Sequence, residues 1–172
     1  MRRLLGLIYN PKYRLSLTLM YACGLRISEA GRLTVTQIDG KKRLLRIIGK
    51  GNKERAVPLP DALLLQLRQL WKTHRHPCWV FPNREKTGPI NRRVMFGLFR
   101  TAAQKAGLPR SVVPHSLRHT YATQLLEKGV ELRVIQILLG HASMRSTEIY
   151  THLTEPGRER LHHILNELTA GL

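Results

Sequence analysis

Apolar residues recur at helical spacing along most of this chain, and the breaks between the recurring stretches fall mainly on glycine, proline and asparagine. From Pro11 to Ala22, Leu15, Leu19 and Ala22 lie on one stripe that Leu17 and Met20 widen, which predicts a core-facing helix. Gly24 punctuates it. Arg26 to Leu33 predicts a second, short helix with Arg26 at its start and that side chain free to leave the core. Leu33 to Asp39 alternates and predicts a strand. Lys42 to Ile48 and Glu54 to Leu59 predict two more, joined by Gly49-Lys50-Gly51-Asn52-Lys53, whose glycines and asparagine supply the positive φ of a hairpin turn. Pro58 and Pro60 close this small antiparallel sheet.

Asp61 to Trp71 begins a helix with Leu63, Leu64, Leu67 and Leu70 on one side. Thr73 to Pro89 reads as a loop in which Trp79-Val80-Phe81 forms a short extended piece docked on the core. Asn91 to Ala106 predicts a helix with Val94, Phe96, Leu98 and Phe99 inward and Arg92, Arg93, Arg100 and Lys105 outward, ended by Gly107. Ser116 can cap a helix carrying Leu117, Tyr121, Leu125 and Leu126, with Lys128-Gly129 as its stop. Glu131 to Leu139 is apolar almost all round, which predicts a buried helix stopped by Gly140. A short helix starting near Ser143 would carry Tyr150, and Gly157 to Leu168 closes the chain with Leu161, Ile164, Leu165 and Leu168 on one amphipathic face. The fold class is α+β, mainly α-helical, a single domain with a small three-stranded antiparallel sheet near the N-terminal half.

Composition narrows the partner. A chain of 172 residues holds one ordinary domain with its own core. Its 29 lysines and arginines face 11 acids, leaving a net charge of +18 that points to a polyanion. Basic residues occur along the entire chain and the apolar runs are far short of a membrane span, so nucleic acid fits better than a membrane. Met1-Arg2-Arg3 and Leu4-Leu5-Gly6-Leu7-Ile8 open like a signal peptide, but Tyr9-Asn10-Pro11-Lys12 ends the apolar run too early, and a cytoplasmic protein is expected. The two cysteines, Cys23 and Cys78, support no disulfide framework. His74, His76 and Cys78 alternate without a fourth ligand nearby, a poor zinc pattern, so no metal is expected there. Tyr9, Tyr13, Tyr21 and Tyr121 lie in apolar contexts and read as core or boundary residues.

The candidate chemistry is concentrated from His115 to Tyr150. That stretch holds a His-x-x-Arg pair, His115 and Arg118, then a Gly-His corner at His141 and a tyrosine nine residues beyond it. Upstream stand Gly24-Leu25-Arg26-Ile27-Ser28-Glu29 and the hairpin with Lys50 and Lys53. Arginine makes two parallel hydrogen bonds to phosphate and keeps its charge. A tyrosine hydroxyl can form a covalent phosphotyrosine that stores the energy of a broken phosphodiester, so the set needs neither metal nor cofactor. His115 and Arg118 sit one helical turn apart near a helix N-terminus, where backbone amides also attract anions.

These ordered motifs resemble those of the tyrosine recombinases, also called the phage-integrase family, and look most like the Xer-type and integron-type members, over about Leu4 to Leu168. The resemblance implies that Arg26 is the first catalytic arginine, Lys50 the mobile lysine that protonates the departing 5′ oxygen, His115 and Arg118 the motif's histidine and second arginine, His141 the second histidine and Tyr150 the nucleophile. Glu29 fits a carboxylate that supports the site from behind. Spacing alone does not choose between Lys50 and Lys53; the family's register favours Lys50. Lys53, Arg55, Arg92 and Arg93 are expected to contact double-stranded DNA, and His119 to be structural.

The implied function is a site-specific recombinase or integrase catalytic domain over residues 1–172, without the N-terminal DNA-clamp domain of full-length relatives. Whether the chain is naturally short or an excised domain is open at this stage. The resemblance implies a homotetramer on DNA and a monomer in isolation. The segment 157–172 either docks into a neighbouring subunit or folds back on its own domain. Two rival functions are relaxation of DNA like that of type IB topoisomerases and a non-catalytic DNA-binding accessory module.

Overall fold

The computed structural model describes residues 1–49, 54–140 and 155–171. Lys50, Lys53, His141, Tyr150 and the short helix expected after Ser143 lie outside the described residues.

Helix α2 (Pro11–Cys23) is the centre of the packing. Asn10 caps it by accepting the Lys12 amide at 3.1 Å, and Pro11 starts it with a preset φ. Every residue from Leu15 to Cys23 is buried, so the sequence stripe marks only part of an all-round contact surface. Ser16 and Thr18 tolerate this because their hydroxyls bond back to Tyr13 and Arg14 carbonyls, each at 2.9 Å. Around α2 gather α1 (Arg2–Gly6), α3 (Ile27–Gly31), α4 (Asp61–His74), α5 (Arg92–Lys105) and α6 (Pro114–Glu127). Helix α1 was not expected; Leu4 and Leu5, read from sequence only as a truncated apolar run, are buried against the main core.

The sheet runs β1 (Ile38–Asp39), β2 (Leu44–Ile48) and β3 (Glu54–Pro58) in that order, both pairs antiparallel, with Leu45 opposite Ile38 and Val57. The strand expected from Leu33 is only two residues long. Val35–Gln37 forms a 3₁₀ turn instead, because the Thr34 amide donates to the Gln37 side chain at 2.9 Å and the Val35 amide to Cys78 O at 2.8 Å. Trp79 pairs with Thr34, and Val80 and Phe81 are buried, as the docked extended piece requires.

A second core joins α6, α7 (Leu132–Leu139) and α8 (Glu155–Thr169) through Tyr121, Leu125, Ile135, Leu138, Leu161 and Leu165. Polar contacts fasten α8 within the same chain: Asn166 bonds the Asp61 amide at 3.0 Å, and Arg2 donates to the Leu168 and Ala170 carbonyls.

Three side-chain placements differ from expectation. In α5 the buried face is Met95, Phe99, Ala102 and Ala103, while Val94 and Phe96 are exposed. Helix α6 starts at Pro114, so Ser116 stands in its first turn and accepts the Val113 amide at 3.2 Å instead of capping. Tyr9 is 81% exposed, because the chain turns between α1 and α2 at that point and carries it away from the core.

Candidate active site

The site begins where α2 stops. Gly24 adopts φ +63, and a Cβ there would stand 2.6 Å from Tyr121 Cδ1 and 3.0 Å from Leu139 Cδ2, so only glycine fits both the conformation and the space. Arg26 follows as the extended residue that opens α3. Glu29, in the first turn, reaches back: Oε2 accepts the Arg26 amide at 2.7 Å and Oε1 accepts Arg26 Nη1 at 2.9 Å. A carboxylate at that place satisfies an orphan amide and complements the helix dipole.

Two further guanidinium groups converge from distant segments. Arg55 of β3 donates Nη1 and Nη2 to the two Glu29 oxygens at 3.0 and 2.6 Å and Nε to Leu138 O at 2.9 Å. Arg118 of α6 donates Nη1 to Gly24 O and Nη2 to Leu139 O. Both are buried, whereas the Arg26 side chain is 41% exposed.

Charge is deliberately unbalanced here. Burial alone would raise the Glu29 carboxyl, but the paired Arg55 and Arg26 overcome it and hold its pKa at about 2. Burial, then repulsion by Arg26 and Arg55, lowers Arg118 to about 10, with Glu29 and Tyr121 offsetting part of that. Arg118 therefore keeps its charge at neutral pH, and among the described residues three guanidinium groups gather around one carboxylate. Such a centre attracts an anion, and Arg26 is its open side.

His115 is exposed at the start of α6, one turn from Arg118. With Val113 and Pro114 it lines a groove of about 390 Å³ shared with Ile27, Arg92, Arg93 and Phe96. The structure thus brings Arg26, Glu29 and Arg118 together and places His115, Arg92 and Arg93 on one groove beside them. His119 is exposed and outside it. Lys50, Lys53, His141 and Tyr150 are outside the described residues, although Gly49, Glu54 and Gly140 mark where their segments leave and enter.

Arg55 departs from its expected role as a DNA contact. Its side chain is 2% exposed, with Nη1 and Nη2 on the two Glu29 oxygens and Nε on Leu138 O, so it faces the interior and not the surface where a duplex would lie. Arg55 follows the charged pair Lys53-Glu54 in sequence and stands at the head of the buried run Ala56-Val57-Pro58-Leu59. His74 and His76 are also accounted for. His74 Nδ1 accepts the His76 amide and His76 Nδ1 accepts the Cys78 and Trp79 amides, so the imidazoles fasten their own loop. Among the described residues no three His, Cys, Asp or Glu side chains converge as metal ligands.

With this geometry in hand, residues 6–156 match the phage integrase family. The tyrosine recombinase XerD of Pseudomonas putida is 35% identical over 164 residues, covering 92% of this chain and 55% of that protein. Among solved structures, an integrase from mycobacterium phage Brujita superposes with a TM-score of 0.78 at 29% identity, covering 99% of this chain and 56% of the other. The XerH site-specific recombinase bound to its difH substrate superposes with a TM-score of 0.73 at 26% identity, covering 93% of this chain and 51% of the other. The chain spans about half the length of the proteins it resembles.

Proposed function

The chain belongs to the phage integrase family, and we propose that it is the catalytic part of a site-specific tyrosine recombinase acting on double-stranded DNA. The observation that carries this is the cluster of Arg26, Arg55 and Arg118 around Glu29, the one carboxylate paired with them among the described residues, which leaves positive charge to receive a further negative group.

In this reading Arg26 takes the scissile phosphate on the open side of the cluster, and Arg118 lies beneath it as a fixed positive charge. His115 hydrogen-bonds the phosphate from the head of α6. The Tyr150 hydroxyl gives up its proton to water and its oxygen attacks phosphorus, a new O–P bond forms, and the bond to the 5′ oxygen breaks. Lys50 gives the departing 5′ oxygen its proton, and His141 steadies the phosphoryl oxygens. The 3′ phosphate is then esterified to the protein, and a 5′ hydroxyl from a second duplex reverses the step to exchange strands. Arg92 and Arg93, exposed on the groove beside His115, hold the flanking backbone together with Lys53. Loss of Arg26 removes one donor to the developing charge, a change worth about 10²–10³ in rate. Exchange pairs four protomers on two duplexes, and the protein off DNA is a monomer.

Strand exchange separates this function from simple relaxation. Two differently labelled duplexes carrying the same site, incubated with the protein, should yield hybrid duplexes. Relaxed plasmid with no hybrid product would reassign the chain to topoisomerase-like chemistry.

A further inference from the structure

We propose that Arg55 is the positioning residue of this site, holding Glu29 so that the carboxylate orients Arg26 without capturing it. The proposal rests on Arg26 meeting a phosphate, as argued above. Arg55 occupies both Glu29 oxygens in a two-pronged pairing, while Arg26 engages one of them through Nη1 and bonds the other only through its main-chain amide. The Arg26 guanidinium therefore keeps Nε and Nη2 off Glu29 and stays 41% exposed.

Arg55 is itself fixed from the other end. Its Nε bonds Leu138 O, and its stem occupies the space beside Gly140, where a Cβ would lie 2.9 Å from Arg55 Cδ. Gly140 also holds φ +66. A buried side chain of β3 thereby locks the first turn of α3 to the C-terminal end of α7, partners 26 and 83 residues away in sequence.

Loss of Arg55 changes the geometry in one direction. Glu29, still buried, would draw in the nearest cation, and Arg26 can supply two parallel bonds by itself. It would then face inward, away from the phosphate. Lysine at 55 restores a charge but not the planar fork that serves two oxygens and a carbonyl together.

The test compares the wild-type chain with Arg55→Lys, Arg55→Met and the double variant Arg55→Met/Glu29→Gln. Three quantities are read: single-turnover adduct formation on nicked duplex, DNA affinity across a salt series, and thermal unfolding. Arg55→Met should slow adduct formation about 10²-fold and Arg55→Lys about tenfold. The double variant, which lacks Arg55 altogether, should recover about tenfold, because the carboxylate that captures Arg26 has lost its charge. The slope of log affinity against log salt should fall by about one in Arg55→Met and return in the double variant.

A slope loss that the double variant does not restore would mean that Arg55 touches phosphate directly. A rate loss that tracks unfolding and is not recovered would reduce Arg55 to a structural ion pair. Either result overturns the proposal. Absence of any adduct in the wild type would instead sink the recombinase reading, and the salt slopes alone would then judge Arg55. If Arg55→Met does not fold, Arg55→Lys and its Glu29→Gln double carry the same comparison.

Discussion

Glu29 carries the most consequential protonation among the described residues. Its folded pKa, at about 2, lies below that of an unpaired glutamate, so its ion pairs stabilise the fold fully above about pH 4.3. That contribution is lost as the pH falls toward 2. The side chain is only 9% exposed, so little solvent screening applies, and the shift corresponds to about 3 kcal/mol. Urea unfolding of wild type and Glu29→Gln between pH 7 and 2 checks this. The wild type should lose about 3 kcal/mol more than the variant over the acid limb. At pH 7 the variant should already be less stable by about 3–5 kcal/mol, since it leaves Arg55 buried without its counter-charge. Parallel acid limbs would contradict the paired state of Glu29.

At the scale of elements, α5 shows what a sequence pattern leaves open. Apolar residues at 94, 95, 96, 98 and 99 cover most of the helix circumference, so periodicity alone does not select the buried stripe. The selection comes from a neighbour: Gly31 of α3 leaves room for Met95, whose Sδ would be 3.0 Å from a Cβ there. That choice turns Phe96 out into the groove with Arg92, Arg93 and His115. Phe99→Ala should therefore cost about 3–5 kcal/mol in thermal or chemical unfolding. Phe96→Ala should change stability by only about 0.5 kcal/mol while weakening DNA binding in a filter or fluorescence assay. Equal destabilisation by the two would contradict the observed face.

Helices α2 to α8, the three-stranded sheet and the segments bearing Arg26, His115 and Arg118 were legible because each rests on local signals: a period, a cap, a glycine stop. Arg55 was not legible as a buried partner of Glu29 and Leu138, since nothing local to β3 announces contacts so far away in the chain. The late start of the first strand had the same cause, the bond from Val35 to Cys78 across the fold.

For the molecule as a whole, a net charge of +18 dwarfs the local imbalance of the arginine cluster and would attract any polyanion, the proposed DNA included. Binding alone therefore tests little: a basic protein of this composition would hold DNA whether or not it cut it. None of the described helices is long and apolar enough to cross a membrane. What distinguishes a recombinase from a basic DNA-binding domain is the covalent step. The direct measurement incubates wild type and Tyr150→Phe, without added divalent metal, with nicked duplexes tiled across the gene's native flanks, and resolves protein–DNA adducts on denaturing gels. A protease-sensitive adduct formed by the wild type and not by Tyr150→Phe is the predicted result. DNA bound by both proteins with an adduct from neither would contradict it.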